Sequence, residues 1–129
     1  SAMGLAVFDN LEHIFSERKK VVDFYLKNLD FTTLSIMKIR ENTQWNYSYF
    51  PVIFNSEEEL LKVQQKLNEA EIFPRRYFYP SLNKIDFVNG ETMPISESIA
   101  SRILCLPLYV GLEEENLKKI STIINSVTT

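Results

Sequence analysis

An apolar stripe at helical spacing runs through the first 29 residues and limits the fold more than any other feature of the sequence. Charged side chains occupy the opposite side of the same segment. Such a stripe has to be buried against other elements. The spacing therefore predicts one long helix over residues 1–29, whose inward residues are Leu5, Phe8, Leu11, Phe15, Val22, Tyr25 and Leu29.

Three further helices are predicted from capping residues and periodicity. Ser56 is followed three residues later by Glu59, a capping box that predicts a helix ending near Glu71. Ser96 is the expected cap of a short helix that continues to Arg102, after a loop over residues 80–95. The last helix is predicted over residues 113–127, with Leu117, Ile120, Ile124 and Val127 inward.

Strand signals occur between these helices. Alternating aromatic residues predict a strand over residues 45–54, in which Pro51 indicates an edge or a bulge. Residues 72–79 and 103–109 also have strand character, and a short strand is possible over residues 32–44. The expected fold class is α+β, with a small antiparallel sheet of about three strands and helices packed on one face.

Composition excludes several functional classes. A chain of 129 residues is the length of one domain. Its net charge of -3 does not favour nucleic acid, and its apolar runs are too short for a membrane span. Cys105 is the only cysteine, so no internal disulfide is possible and a reducing, cytoplasmic setting is expected.

The sequence lacks the usual catalytic and metal-binding motifs. His13 is the only histidine, and it is expected on a helix surface. Cys105 lies in an apolar run and is expected to be a buried structural thiol. The three glycines are isolated, which excludes a glycine-rich phosphate loop. No catalytic residue and no metal ligand set is therefore predicted.

Two adjacent arginines lie in a stretch rich in aromatic residues. In an extended strand, Arg75 and Arg76 would point to opposite sides, with Tyr77 and Tyr79 on the side of Arg75 and Phe78 on the side of Arg76. A guanidinium group can hold phosphate by paired hydrogen bonds. The combination suits a sugar or nucleoside that carries a phosphate. The alternative is an ordinary aromatic strand with solvated arginines.

Three stretches of the chain, in order, resemble one enzyme family. They are residues 2–6 with the helix that follows them, Ile72 to Pro80, and Ser96 to Tyr109 with the acidic helix start after it. The sequence resembles the DegT/DnrJ/EryC1/StrS family of pyridoxal-phosphate (PLP) aminotransferases that act on nucleotide-linked sugars.

The resemblance implies that residues 1–129 form a single small C-terminal domain, like that of the fold-type I PLP aminotransferases. Residues 1–29 would then lead out of a large PLP-binding domain that this sequence does not include. In the family, the lysine that forms the Schiff base with PLP belongs to that large domain. The resemblance therefore implies no bound cofactor and no transamination for this chain alone.

For the intact enzyme, the resemblance implies a cytoplasmic homodimer that uses PLP in polysaccharide biosynthesis. An amino group would pass from an amino acid, typically glutamate, to a keto group of a nucleotide-linked sugar. The residues placed on the substrate side are Arg75, Arg76, Tyr77 and Tyr79, together with Asn83, near which many relatives carry a histidine.

Two other functions stay open at this point. The chain could be a free-standing module that binds a small molecule without catalysis, or a domain that binds another protein. A domain that belongs to a larger protein should carry an apolar patch where the rest of that protein packs. This patch is expected on the first helix, around Leu5, Phe8 and Leu11.

Overall fold

The computed structural model of the protein describes residues 1–88 and 90–128. Asn89, in the predicted loop, and Thr129 lie outside the described residues. A 3-10 turn, Leu82–Lys84, lies in the same predicted loop. The main elements are α1 (Ala2–Phe8), α2 (Leu11–Asn28), β1 (Ser35–Ile36), β2 (Phe50–Ile53), α3 (Glu57–Glu69), α4 (Pro94–Arg102), β3 (Ile103–Leu106) and α5 (Glu114–Thr128).

The three strands form one antiparallel sheet in the order β1-β2-β3. Because side chains alternate along a strand, Phe50 and Val52 of β2 and Leu104 and Leu106 of β3 point the same way. All four are buried in a core shared with α2, α3 and α5. The predicted α+β architecture, a small sheet with helices on one face, is confirmed.

The helix signals that depend on local sequence are confirmed most closely. The hydroxyl of Ser56 accepts a hydrogen bond from the Glu59 N–H at 3.1 Å, as the capping box predicts. The Glu59 carboxylate accepts from the N–H of Asn55 at 3.2 Å rather than from that of Ser56. In α5, the inward residues Leu117, Ile120 and Ile124 are buried, and Val127 is half-buried against them.

The first helix differs from the prediction because it is interrupted at residues 9–10. The Asn10 side chain donates to the carbonyl of Ala6 at 3.0 Å, and its N–H donates to Val7 at 3.1 Å. Short polar side chains compete for helix hydrogen bonds in this way. A single helix over residues 1–29 is therefore wrong. The predicted apolar patch is present on α1, where Leu5 and Phe8 are exposed, whereas Leu11 is half-buried.

The strands are shorter than predicted. The strand expected over residues 45–54 starts only at Phe50, because Tyr47 has a φ of +51° and Asn46 accepts from the Ser48 N–H at 3.1 Å. The strand over 103–109 ends before Pro107, which has no N–H. Pro51 does lie at an edge, since β1 pairs only with the two residues that follow it.

Ser96 is not the cap of α4, which corrects the prediction. The helix begins at Pro94, two residues before Ser96. Proline fits the first helical position without losing a hydrogen bond. Met93 is the capping residue, and its N–H donates to the Glu97 carboxylate at 2.8 Å. The Ser96 hydroxyl lies 3.1 Å from that of Ser81 instead.

Tyr25 ties α2 to the end of the sheet. It is fully buried, and its hydroxyl donates to the carbonyl of Pro107 at 2.9 Å. Tyr25→Phe leaves that carbonyl without its partner, so we expect the free energy of unfolding to fall by about 1–2 kcal/mol in urea titrations. Tyr109→Phe, at an exposed position, is the control and should change it by less than about 0.5 kcal/mol. Equal losses would contradict this assignment.

The burial of Tyr25 also predicts a pH dependence of stability. Burial raises the pKa of Tyr25 above its ordinary value. Since the unfolded chain releases this proton more readily, stability should fall as the pH rises above about 10, the ordinary pKa of tyrosine. Tyr25→Phe should flatten that alkaline loss.

Candidate functional site

One face of the sheet is not covered by α2, α3 and α5, and we call it the open face. Pro51, Ile103 and Cys105 alternate with the core residues of β2 and β3 and line this face. Pro51 and Ile103 are half-buried there, whereas Cys105 is almost fully buried. Burial raises the pKa of the Cys105 thiol, in agreement with the expected structural role.

The open face carries a groove of about 400 Å³, which we call the aromatic groove. Its floor is the sheet, and loop residues form its walls. Apolar and aromatic walls of this kind suit the faces of a sugar or a base. The lining residues include Met37, Trp45, Tyr49, Tyr77 and Phe78.

A second hollow of about 250 Å³ adjoins the groove, and we call it the arginine hollow because Arg75 lines it. Tyr49 and Tyr77 line both spaces and meet edge to face, with ring centroids 5.7 Å apart. A ligand that occupied both spaces would therefore pass these two rings and reach a cationic group.

Backbone pairing fixes Arg75 beside β3. Its N–H donates to the Cys105 carbonyl at 3.1 Å, and its carbonyl accepts from the Cys105 N–H at 2.8 Å. The Arg75 side chain is exposed. Within residues 1–88 and 90–128, its guanidinium makes no ion pair or hydrogen bond with another side chain or backbone group. The charge of Arg75 is thus available to an anion.

Arg76 points elsewhere. One guanidinium nitrogen, Nη2, lies 2.8 Å from the Glu57 carboxylate and 2.7 Å from the Ser101 carbonyl. The guanidinium carbon lies 3.7 Å from the centre of the Tyr79 ring, a cation–π contact. Arg76 is therefore engaged by its own protein, with only 15% of its side chain exposed.

These contacts correct two predictions about the arginine segment. No strand forms over residues 72–79, and only Arg75 makes a bridge to β3. Tyr79 lies against Arg76 rather than on the side of Arg75. Pro74 and Pro80 lack backbone donors, so the segment cannot continue as a regular ladder. The chain turns instead, and Tyr77, Phe78 and the half-exposed Tyr79 lie on that turn.

Asn83 holds together the loop that follows this turn. Its side-chain amide donates to the Glu91 carbonyl at 2.9 Å and to the Glu97 carboxylate at 2.7 Å. Hydrogen bonds to the Glu97 carboxylate lower its pKa, the largest effect coming from the Met93 N–H and smaller ones from the side chains of Asn83 and Lys84. A Cβ on Gly90 would lie 2.8 Å from that of Asn83, so only glycine fits there. Asn83 thus braces the loop against α4.

Sequence reasoning missed Tyr49 and Glu57 as parts of this site. Tyr49 precedes β2 and shares the parity of Pro51, so a sheet covered on one face predicts its position beside the open face. For Glu57 no comparable signal exists, because a carboxylate in the first turn of a helix is ordinary. His13 is exposed on α2, as predicted. Among residues 1–88 and 90–128, no cluster of metal-ligating side chains and no helix suited to crossing a membrane is found.

Comparison with known proteins places the chain in a family. The model of the DegT/DnrJ/EryC1/StrS aminotransferase family matches residues 1–125. The chain belongs to this family. The resemblance found from the three sequence stretches is thus confirmed.

Similarities to individual proteins agree with this family assignment. The chain is 32% identical to the dTDP-4-amino-4,6-dideoxy-D-glucose transaminase of Escherichia coli, over 96% of the chain and 36% of the relative. It superposes on DesI, solved in the presence of its TDP-sugar product, with a TM-score of 0.87 and 18% identity, over 99% of the chain and 34% of DesI.

A second solved structure of similar fold is that of Spr1654 from Streptococcus pneumoniae, which is designated a sugar aminotransferase and was solved in its PLP form. The TM-score is 0.78 at 21% identity, over 97% of the chain and 34% of Spr1654. The likenesses to DesI and Spr1654 concern the fold. The chain spans about a third of the length of all three relatives.

The family implies PLP, and the lysines of this chain do not fit it. PLP enzymes attach the cofactor to a lysine amine in an enclosed site. All nine lysines here are exposed. Five of them, Lys19, Lys20, Lys62, Lys84 and Lys118, are in surface ion pairs. No lysine of the described residues therefore lies in an enclosed site of the kind that PLP requires.

Proposed function

We propose that this chain is the substrate-side domain of a longer PLP-dependent aminotransferase. That enzyme would transfer an amino group from an amino acid, glutamate in the first instance, to a keto group of a nucleotide-linked sugar. The observation that carries the proposal is an exposed, unpaired Arg75 beside two tyrosine rings, in a chain of the sugar aminotransferase family.

The open face would bind and orient the substrate. Arg75 offers charge-assisted hydrogen bonds to a diphosphate. Tyr49 and Tyr77 offer flat rings to the sugar or the base on either side of it. Orienting the keto carbon towards the amino group that the rest of the protein supplies would lower the activation barrier of the transfer substantially. The cofactor and the amino-transfer chemistry would come from the rest of the longer protein.

The exposed apolar surface of α1 supports the view that more protein packs here. None of its residues is buried, although four of them are large and apolar. These four, Met3, Leu5, Val7 and Phe8, are all at least half exposed. Contiguous apolar surface of this kind marks an interaction site. In the proposed enzyme, α1 leads to the large domain, and the complete protein is a cytoplasmic homodimer with the substrate at the subunit interface.

Cofactor binding by two forms of the protein tests the proposal. The complete protein, incubated with PLP and glutamate, should show the absorbance of a bound cofactor and transfer the amino group to a nucleotide-linked keto sugar. Residues 1–129 alone should do neither. Turnover by residues 1–129 alone, or a complete protein without PLP, would contradict the proposal. Binding of the nucleotide sugar without any transfer would favour the non-catalytic binding module.

A further inference from the structure

We infer that Arg76 is a positioning residue. Through its contact with Tyr79 it fixes the turn formed by residues 77–79, and it does not itself bind the ligand. This inference rests on the proposed function, since it names which of two adjacent arginines meets the substrate. Of the two arginines, only Arg75 then has a charge that is available to an anion.

The surroundings of Arg76 are those of a structural ion pair. Its side chain is 15% exposed, and a charge that is largely removed from water needs a partner. Glu57 supplies that partner at 2.8 Å from the first turn of α3. The amino end of a helix also favours a negative charge at this position.

The second contact closes a helix end. The Ser101 carbonyl lies in the last turn of α4, where carbonyl groups have no partner within the helix. Arg76 donates to it at 2.7 Å. One guanidinium group thus joins the start of α3 to the end of α4, and these two helices pack against each other.

The third contact transmits this anchoring to the site. The guanidinium carbon of Arg76 lies 3.7 Å from the centre of the Tyr79 ring, and this contact holds the far end of the turn. Tyr77 and Phe78 lie between these two residues and line the aromatic groove. Their ring centroids are 5.2 Å apart, so a displacement of the turn moves both. The orientation of the ligand-facing rings therefore depends on Arg76.

Removing the carboxylate of Glu57 separates a positioning role from direct binding. If Arg76 were held in reserve as a phosphate ligand, freeing it from Glu57 would tighten the binding of an anion. If Arg76 positions the turn, freeing it loosens Tyr77 and Phe78 and weakens binding. Glu57→Gln thus gives opposite signs for the two roles.

The experiment measures binding of dTDP, a nucleoside diphosphate, to the complete protein by calorimetry. We expect Glu57→Gln to weaken binding about three- to tenfold. Glu58→Gln removes the same charge from the adjacent, exposed position, where it pairs with Lys62, and should change binding less than about twofold. Arg75→Gln should flatten the ionic-strength dependence of binding, whereas Glu57→Gln should leave it unchanged.

Hydrogen exchange of the backbone amides of residues 77–79, 81 and 82 gives a readout that does not need the ligand. Exchange should speed up in Glu57→Gln and in Arg76→Lys, which keeps the charge but loses the planar group, and not in Glu58→Gln or Arg75→Gln. Tighter dTDP binding by Glu57→Gln, or unchanged exchange in Arg76→Lys, would overturn the inference. A wild-type protein that binds no nucleoside diphosphate would instead overturn the proposed function, and the exchange data would still decide the role of Arg76 in the turn.

Discussion

Phe54→Ala is expected to lower the free energy of unfolding by about 3–5 kcal/mol, measured by urea titration. Phe54 is fully buried directly after β2. Its N–H donates to the Arg102 carbonyl at 2.9 Å, and its carbonyl accepts from the Arg102 guanidinium at 2.9 Å. Because the backbone is held on both sides, the structure cannot collapse into the cavity. A loss of this size is a large share of the roughly 5–15 kcal/mol that stabilises a domain.

Phe78→Ala is the matched control, since it removes the same atoms from a side chain that is 70% exposed. It should change the free energy of unfolding by less than about 0.5 kcal/mol. Two equal losses would show that the core does not lie on the helix side of the sheet. In the complete protein, Phe78→Ala should nevertheless weaken the binding of the nucleotide-linked sugar, because Phe78 lines the aromatic groove.

Local signals explain which parts of the fold were predicted correctly. The capping box at Ser56 and the stripe of α5 depend on residues three or four positions apart, so the sequence alone contains them. The interruption at Asn10 was missed although its cause is also local. A continuous apolar stripe does not reveal that one amide side chain competes for the helix carbonyls.

Contacts between distant residues explain what was not predicted. Arg76 reaches Glu57 across 19 positions and Ser101 across 25, and these partners decide where its side chain lies. β1 consists of two residues, which is too short for any periodicity to be recognised. Similarly, Tyr47 takes a left-handed conformation that an alternating aromatic pattern does not predict.

The same distinction applies to the site. The residue types around the two arginines predicted a ligand-binding segment, and ligand binding there stays a prediction. The partners of the two side chains could not be predicted, because Arg75 and Arg76 have the same chemistry and differ only in what they contact. Asn83 likewise could not be recognised as a brace until Glu91 and Glu97 were placed beside it.

Arg75→Gln in the complete protein is expected to raise the KM for the nucleotide-linked sugar by about 10- to 100-fold, the loss of one or two hydrogen bonds to a charged group. The diphosphate is remote from the reacting carbon and is bound alike in the ground and transition states. Removing such uniform binding raises KM and leaves kcat nearly unchanged. Steady-state kinetics with the sugar as the varied substrate measures both parameters.

Lys66→Gln on the exposed side of α3 is the control, because it removes one positive charge away from the open face. Its KM should stay within about twofold of the wild type, as for other surface charges. The KM of the wild type should rise with ionic strength, and that of Arg75→Gln should rise less, since screening weakens a charge–charge contact that the variant lacks. An unchanged KM in Arg75→Gln would mean that the diphosphate lies elsewhere, and the arginine hollow would lose its assignment as the anion-binding part of the site.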